Sequence, residues 1–239
     1  MFLRVNARRA TPAQAQAALA DEGIETAPHP LSPHALQVTA GARKIAQAGA
    51  YLAGMVELQD AASQAVIDAL PLADGMRVLD YCAGGGGKTL AMAAQARLSL
   101  FAHDASPARM RDLPARAKRA GAKVTLTETP RGPYDLVLAD VPCSGSGSWR
   151  RAPEGKWLLT PEKLAQLVDL QGEILRKAAG LVRPGGVLAY ATCSMLAVEN
   201  GAQVDGFLAA GGWSQVTRRS LTPLDGADGF FIAVLRRDA

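Results

Sequence analysis

The chain of 239 residues is 49% hydrophobic and 20% charged, a globular composition long enough to bury one sizeable α/β core. Lys and Arg number 26 against 22 Asp and Glu; the formal charge of +4 permits a polyanionic partner without requiring one, and a 5% aromatic share argues against a binder built on stacking platforms. No apolar run approaches a membrane span and residues 1–12 hold no signal-like stretch, which points to a cytoplasmic protein without a membrane partner.

In chain order, residues 2–5 read as a short strand, and Thr11-Pro12 caps a helix that Gly23 ends. Pro28, Pro30 and Pro33 then break regular structure before an extended run at 35–39. Residues 1–56 are expected to form a small partial α+β module with a connector, and residues 57–239 the main domain. There, helices at 60–70, 89–96, 107–120, 161–179 and 197–209 alternate with extended runs at 77–81, 98–103, 123–126, 134–139, 187–192, 213–217 and 230–235. The extended runs are apolar without alternation, so both faces are buried. The expected fold class is α/β: a doubly wound, mostly parallel sheet that binds ligands at its carboxyl edge.

The run Val78-Leu79-Asp80-Tyr81-Cys82-Ala83-Gly84-Gly85-Gly86-Gly87-Lys88-Thr89 carries a buried strand through four glycines into a helix. A Walker A loop would need glycine where Cys82 stands, and a dinucleotide fingerprint starting at Gly84 would need glycine where Thr89 stands. The remaining ligand reading is the first loop of an S-adenosylmethionine-dependent methyltransferase, with Asp104 after the next strand accepting the ribose hydroxyls. The plain alternative is a flexible turn, with Asp104 capping a helix at Ser106-Pro107.

Cys82, Cys143 and Cys193 form no CxxC pair and are accompanied by only three histidines, so neither a disulfide framework nor a metal site is expected. Cys143 follows the strand at 134–139 and Cys193 the strand at 187–192, which brings both to the ligand edge. Each could be a buried small hydrophobe, or a nucleophile if its environment favours the thiolate.

The runs Asp140-Val141-Pro142-Cys143-Ser144-Gly145-Ser146-Gly147, Arg150-Arg151-Ala152-Pro153-Glu154, Lys156-Trp157, Gln171, Glu173-Ile174-Leu175, Tyr190-Ala191-Thr192-Cys193-Ser194 and Glu199-Asn200 resemble the RNA 5-methylcytosine methyltransferases of the RsmB (Sun) family. Gln59-Asp60, Ala62-Ser63-Gln64, Leu3-Arg4-Val5-Asn6 and Asp228-Gly229-Phe230-Phe231 extend the likeness over nearly the whole chain. The resemblance implies a Rossmann-like methyltransferase fold, S-adenosylmethionine as cofactor and an RNA substrate, ribosomal before transfer RNA, acted on by a monomer. It also implies that Cys193 adds to the 6-carbon of cytosine, that Cys143 assists breakdown of the adduct, and that Asp140 lies near both cofactor and base. Cys82, Ala83, Gly84, Gly85, Gly86, Gly87, Lys88, Asp104 and Asp140 are the implied cofactor-binding residues.

Arg109 matches a family arginine or lies on a solvated helix face, and Arg150, Arg151 and Lys156 are either phosphate contacts or solvated charges. Two departures stand out. Gly85 occupies the place of a family proline, and Glu128 is the nearest substitute for an acid that the family places near the adenine. The rival functions are a catalytically weak relative acting in RNA binding or ribosome assembly, and a P-loop nucleotide hydrolase.

Overall fold

Two sheets organise the chain, and the computed structural model describes all of residues 1–239. The first sheet is antiparallel, in the order β2-β3-β1-β4, from β1 (Phe2–Val5), β2 (Glu25–Pro28), β3 (Ala35–Ala40) and β4 (Val56–Leu58). Helix α1 (Pro12–Asp21) covers it. The Thr11 side chain accepts from the Gln14 N–H while the Gln14 side chain accepts from the Thr11 N–H, so the helix begins where the Thr-Pro pair predicts. Leu3, Val5, Leu19, Ile24, Leu36, Ile45 and Val56 form a separate small core. The short helix α2 (Gly49–Leu52) and strands β2 and β4 were not anticipated. The boundary placed between 56 and 57 falls inside β4, whose Val56, Glu57 and Leu58 pair with Val5, Arg4 and Leu3.

The main domain runs through α3 (Ala61–Asp68), β5 (Arg77–Asp80), α4 (Gly87–Gln95), β6 (Ser99–Ala102), α5 (Leu113–Ala120), β7 (Thr125–Leu126) and β8 (Tyr134–Asp140). It continues with α6 (Glu154–Leu158), α7 (Pro161–Ala179), β9 (Val182–Thr192), α8 (Gly201–Leu208), β10 (Trp213–Leu221) and β11 (Phe230–Arg237). The seven strands lie in the order β10-β11-β9-β8-β5-β6-β7. All neighbours from β9 to β7 pair in parallel, and β11 runs antiparallel to both β9 and β10. This is the doubly wound, mostly parallel sheet read from the sequence, with a small antiparallel sheet before it.

Apolar side chains leave both faces of the central strands. On β8, Leu136 and Leu138 enter one core with Val66, Ile67 and Met92 from α3 and α4. Val137 and Ala139 enter the opposite core with Leu175 and Val204 from α7 and α8. Burial on both faces is why these strands read as continuous apolar runs.

Two expected helices divide. The run at 107–120 becomes a 3-10 turn at Pro107–Met110 and then α5, because Pro114 lacks the N–H that an uninterrupted helix would require of it. The run at 197–209 becomes a turn at Ala197–Glu199 followed by α8, separated by Asn200, whose φ of −113° and ψ of −102° are not helical. Strand β9 starts earlier than expected, at Val182, and α6 was not foreseen. No helix is long and apolar enough to cross a membrane.

Candidate active site at the carboxyl edge of the sheet

Strand β5 has β6 on one side and β8 on the other, so its carboxyl end is the point where the strand order reverses and a crevice opens. The glycine loop turns there. Gly84 and Gly86 have φ of +49° and +80°, and a Cβ on Gly86 would lie 2.2 Å from Cδ1 of the buried Leu113. The loop can hold its course only without side chains at these two positions. Asp104, after β6, is buried; Oδ2 accepts from the Gly84 N–H (2.9 Å) and Oδ1 from the Ser106 N–H (2.9 Å). Arg109 lies 3.3 Å from the same carboxylate, so it is a partner of Asp104 rather than only a solvated charge. Asp104 Oδ1, with one N–H bonded to it, retains a lone pair for a hydroxyl donor.

Asp80 closes β5 beneath this loop and is fully buried. Its Oδ2 accepts from the Thr89 hydroxyl at 2.6 Å, while Oδ1 has no hydrogen-bond partner. Burial pushes its pKa up to about 7, and the negative charges of Asp140 and Asp104 add to the shift. An orphaned carboxylate oxygen, a side-chain-free loop and helix-start N–H groups fit a ligand with cationic and hydrogen-bonding groups, as S-adenosylmethionine has. Cys82 is half-buried in the same loop; burial, then the charges of Asp80, Asp140 and Asp104, raise its pKa, which keeps it a neutral thiol.

Lys88, in the first turn of α4, points across to β8, where Nζ donates to Asp140 Oδ2 at 2.6 Å. The ammonium also lies 4.6 Å from the Phe230 ring centroid. Burial opposes the charge on Lys88, but the charge and hydrogen bond of Asp140, with Asp80 and Cys193 adding, raise its pKa overall. Glycine loop, Lys88 and Asp140 thus form one continuous polar wall.

Cys143 and Cys193 follow adjacent parallel strands, and their Sγ atoms are 3.4 Å apart. The pair is asymmetric. The thiol of Cys143 lowers the pKa of Cys193 by hydrogen bonding, Lys88 adds to this, and burial with the Asp140 charge opposes it. Cys143 is raised by that same hydrogen bond, then by burial and the Cys193 charge. The Lys88 ammonium acts on Cys193, so the negative charge of the pair is favoured at Cys193 over Cys143.

The two cysteine loops are welded together. Gly147 N–H donates to Cys193 O, and Gly229 N–H donates to Gly147 O, both at 2.9 Å. A Cβ on Gly147 would meet Gly229 O at 2.2 Å and Cys193 O at 2.9 Å. Below them lies the wholly buried Glu199, which accepts from the Ser144 N–H (2.8 Å), the Ser144 hydroxyl (2.5 Å), the Ser194 hydroxyl and the Gln171 amide (2.9 Å). Nearby, Thr192 Oγ1 donates to Asn200 Oδ1 (2.5 Å), and Asn200 Nδ2 donates to Ser194 O (2.8 Å).

Arg150 and Arg151 both pair with buried Asp228, and Lys156 lies 5.3 Å from the Trp157 ring, which is exposed. Half of each arginine side chain still faces solvent, so both stay open to phosphate. Glu128 is exposed beside Thr127, whose N–H donates to Ala102 O beyond β7. Every proposed site residue lies at this edge. Reading the sequence missed Asp80 and Glu199 as site components. The first lies inside the apolar run 77–81 and the second in the Glu199-Asn200 pair, and an acid in such a place is itself a signal, because burial demands partners.

Comparison with known proteins gives this arrangement its context. Residues 67–236 match the family described as 16S rRNA methyltransferase RsmB/F, and residues 1–44 match the ferredoxin-like domain of the RsmF/B-like methyltransferases. The ribosomal RNA small subunit methyltransferases B of Klebsiella pneumoniae subsp. pneumoniae and Salmonella arizonae are 36% and 35% identical, each over 98% of this chain. The chain spans 59% of the length of both relatives. Among solved structures, a methyltransferase homolog from Pyrococcus horikoshii aligns with a TM-score of 0.87 at 25% identity, over 99% of this chain and 86% of its own. The fold is shared further with NSun6 of the same organism, solved with SFG, at a TM-score of 0.84 and 18% identity over 100% of this chain and 90% of that one. With its glycine loop, its paired cysteines and a family match across most of its length, the chain belongs to the RsmB/F family of 16S rRNA methyltransferases.

Proposed function

We propose that this chain is an S-adenosylmethionine-dependent RNA cytosine-5 methyltransferase acting on ribosomal RNA through a covalent cysteine–cytosine adduct. The observation that carries the reading is the pair of thiols 3.4 Å apart, one favoured as thiolate, beside a glycine loop with a ribose-ready acid. The 5-carbon of cytosine is a poor nucleophile. The Cys193 thiolate adds to the 6-carbon, and the electron pair of the 5,6 double bond becomes available at the 5-carbon. S-adenosylmethionine held by the loop, Asp104 and the Asp80 pocket supplies an electrophilic methyl group. Loss of the 5-proton to solvent water then restores the double bond and expels Cys193 as a thiolate, which the Cys143 S–H stabilises from hydrogen-bond distance of the leaving sulfur. Asp140, oriented by Lys88, is the carboxyl group placed to accept from the exocyclic amino group on the base edge, or to hydrogen-bond the ring nitrogen once a proton is shared between them. Arg150, Arg151 and Lys156 supply charge for the phosphates.

Transfer of labelled methyl groups to ribosomal and transfer RNA fragments tests this. Cys193→Ala is expected to abolish transfer, and Cys143→Ala to accumulate a protein–RNA adduct visible on a denaturing gel. Parent-like transfer by Cys193→Ala, or label on any atom other than the 5-carbon of cytosine, overturns the reading.

A further inference from the structure

The carboxylate of Glu199 touches neither sulfur, yet it bonds the residue that follows each of them. Ser144 succeeds Cys143 and gives Glu199 both its N–H and its hydroxyl; Ser194 succeeds Cys193 and gives its hydroxyl. Gln171 of α7 completes the clamp from behind. Its amide donates to Glu199 Oε1 at 2.9 Å and to the carbonyl of Pro142, the residue before Cys143, at 3.0 Å. Glu199 and Gln171 both have 0% relative exposure, so no water competes for these bonds. The backbone of Glu199 is itself fixed by the Tyr190 hydroxyl, which donates to its carbonyl at 2.6 Å.

A loop that carries a nucleophile after a strand end has little reason to hold its sulfur within hydrogen-bond distance of another loop's sulfur. The backbone bond from Gly147 N–H to Cys193 O already joins the loops on one side of the sulfurs, so the contacts made by the residue after each cysteine are what set the spacing on the other. Here one buried carboxyl group receives donors from both loops, and a polar network satisfied out of reach of water holds its geometry tightly. We propose that Glu199 is the positioning residue for the two-thiol site, holding Cys143 against Cys193 through Ser144 and Ser194, with Gln171 as its anchor. The inference rests on the reading of the two cysteines as the reacting pair. Misplacement of a reacting group by about 1 Å costs about 10²-fold in rate, which is the scale on which Glu199 acts.

The test compares Glu199→Ala and Glu199→Gln with the parent, using iodoacetamide alkylation of Cys193 across a pH series, read by peptide mass spectrometry, beside kcat and cofactor affinity. Alanine opens the clamp, while glutamine keeps its shape and can donate to the two serine hydroxyls. At a temperature where Glu199→Ala is folded, alkylation at neutral pH is expected to slow roughly tenfold, as Cys193 loses its thiol donor. In the same variant kcat is expected to fall about 10²-fold, with S-adenosylmethionine affinity held within roughly twofold because the glycine loop is untouched. Glu199→Gln is expected to recover most of both. A parent-like alkylation profile and kcat in folded Glu199→Ala overturn the proposal. If that variant does not fold, Ser194→Ala removes the Cys193 arm and the Ser144→Ala/Ser194→Ala double variant leaves only the Ser144 N–H; parent-like alkylation in both overturns it equally. A parent protein that methylates no RNA, but whose Cys193 alkylation responds to Glu199, would sink the methyl-transfer reading and leave the clamp standing.

Discussion

At the scale of single residues, the chemistry depends on ionisable groups whose surroundings set their charge. Asp80 is the clearest case. Burial raises its carboxyl pKa to about 7 against 3.8 for the unperturbed group, so the folded chain binds a proton there that the unfolded chain has released. The sign follows directly. This contribution to stability is fully present below pH 3.8 and is lost as pH rises through about 7. Asp80→Asn removes it, and denaturant unfolding from pH 5 to 8 is expected to show a flatter stability profile than the parent; an equally steep profile contradicts the assignment. The three cysteines show how far residue type is legible in a sequence. Cys143 and Cys193 were recognisable because each follows an apolar run that could only be a strand end. Their 3.4 Å separation was not, since it joins positions 50 residues apart in the chain. Glu199 escaped for the same reason: its bond to Ser144 spans 55 residues, and no local pattern announces such a meeting.

At the scale of elements, turns rather than strands decide the geometry. The central strands were readable because two-sided burial leaves them uniformly apolar, whereas the edge strands β7 and β10 are largely exposed, against the expectation of burial on both faces; α7 was readable because Thr160 caps it and Pro161 opens it. The short pieces, β2, β4 and α6, were not readable. Each has five residues or fewer, and its existence depends on pairing or packing partners rather than on its own periodicity. Gly147 shows the weight a turn can carry. An added methyl group would strike the carbonyls of Gly229 and Cys193, both backbone atoms that cannot turn aside. Gly147→Ala is therefore expected to destabilise the fold by about 1–3 kcal/mol through overpacking. It should also slow methyl transfer more than it weakens cofactor binding, a split that steady-state kinetics beside calorimetry would reveal. Equal losses in both would mean that the clash is absorbed away from the cysteine loops.

At the scale of the whole molecule, the small sheet is tied to the helices that flank the larger one. Arg4 of β1 is buried; it donates to the Gln59 side chain and to the carbonyl of Gly87, the first residue of α4, at 2.8 Å. Desolvation lowers its pKa to about 10, still far enough above neutrality to keep the charge. Asn6 donates to Ala120 O (2.9 Å), and Glu57 pairs with Arg119 (2.8 Å), so β1 and β4 grip the end of α5 as well. Arg4→Met is expected to cost about 1–3 kcal/mol, from unpaired buried acceptors, and to weaken S-adenosylmethionine binding several-fold, because α4 loses its brace. Unchanged affinity in calorimetry would show that the small sheet leaves the glycine loop alone. That the small module would brace the first turn of α4 was not legible in the sequence, because the bond spans 83 residues. The other end of the chain is tied in no less firmly. Asp228 receives Arg150 and Arg151, Gly229 bonds the Gly147 turn, and Phe230 lies against the Lys88 ammonium, all at the entry to the final strand. The Gly147 turn, the Arg150-Arg151 segment and Lys88 thus each take a contact from residues 228–230, so docking of the β10–β11 hairpin onto β9 is a late rivet on an edge whose two cysteine loops are already clamped from within.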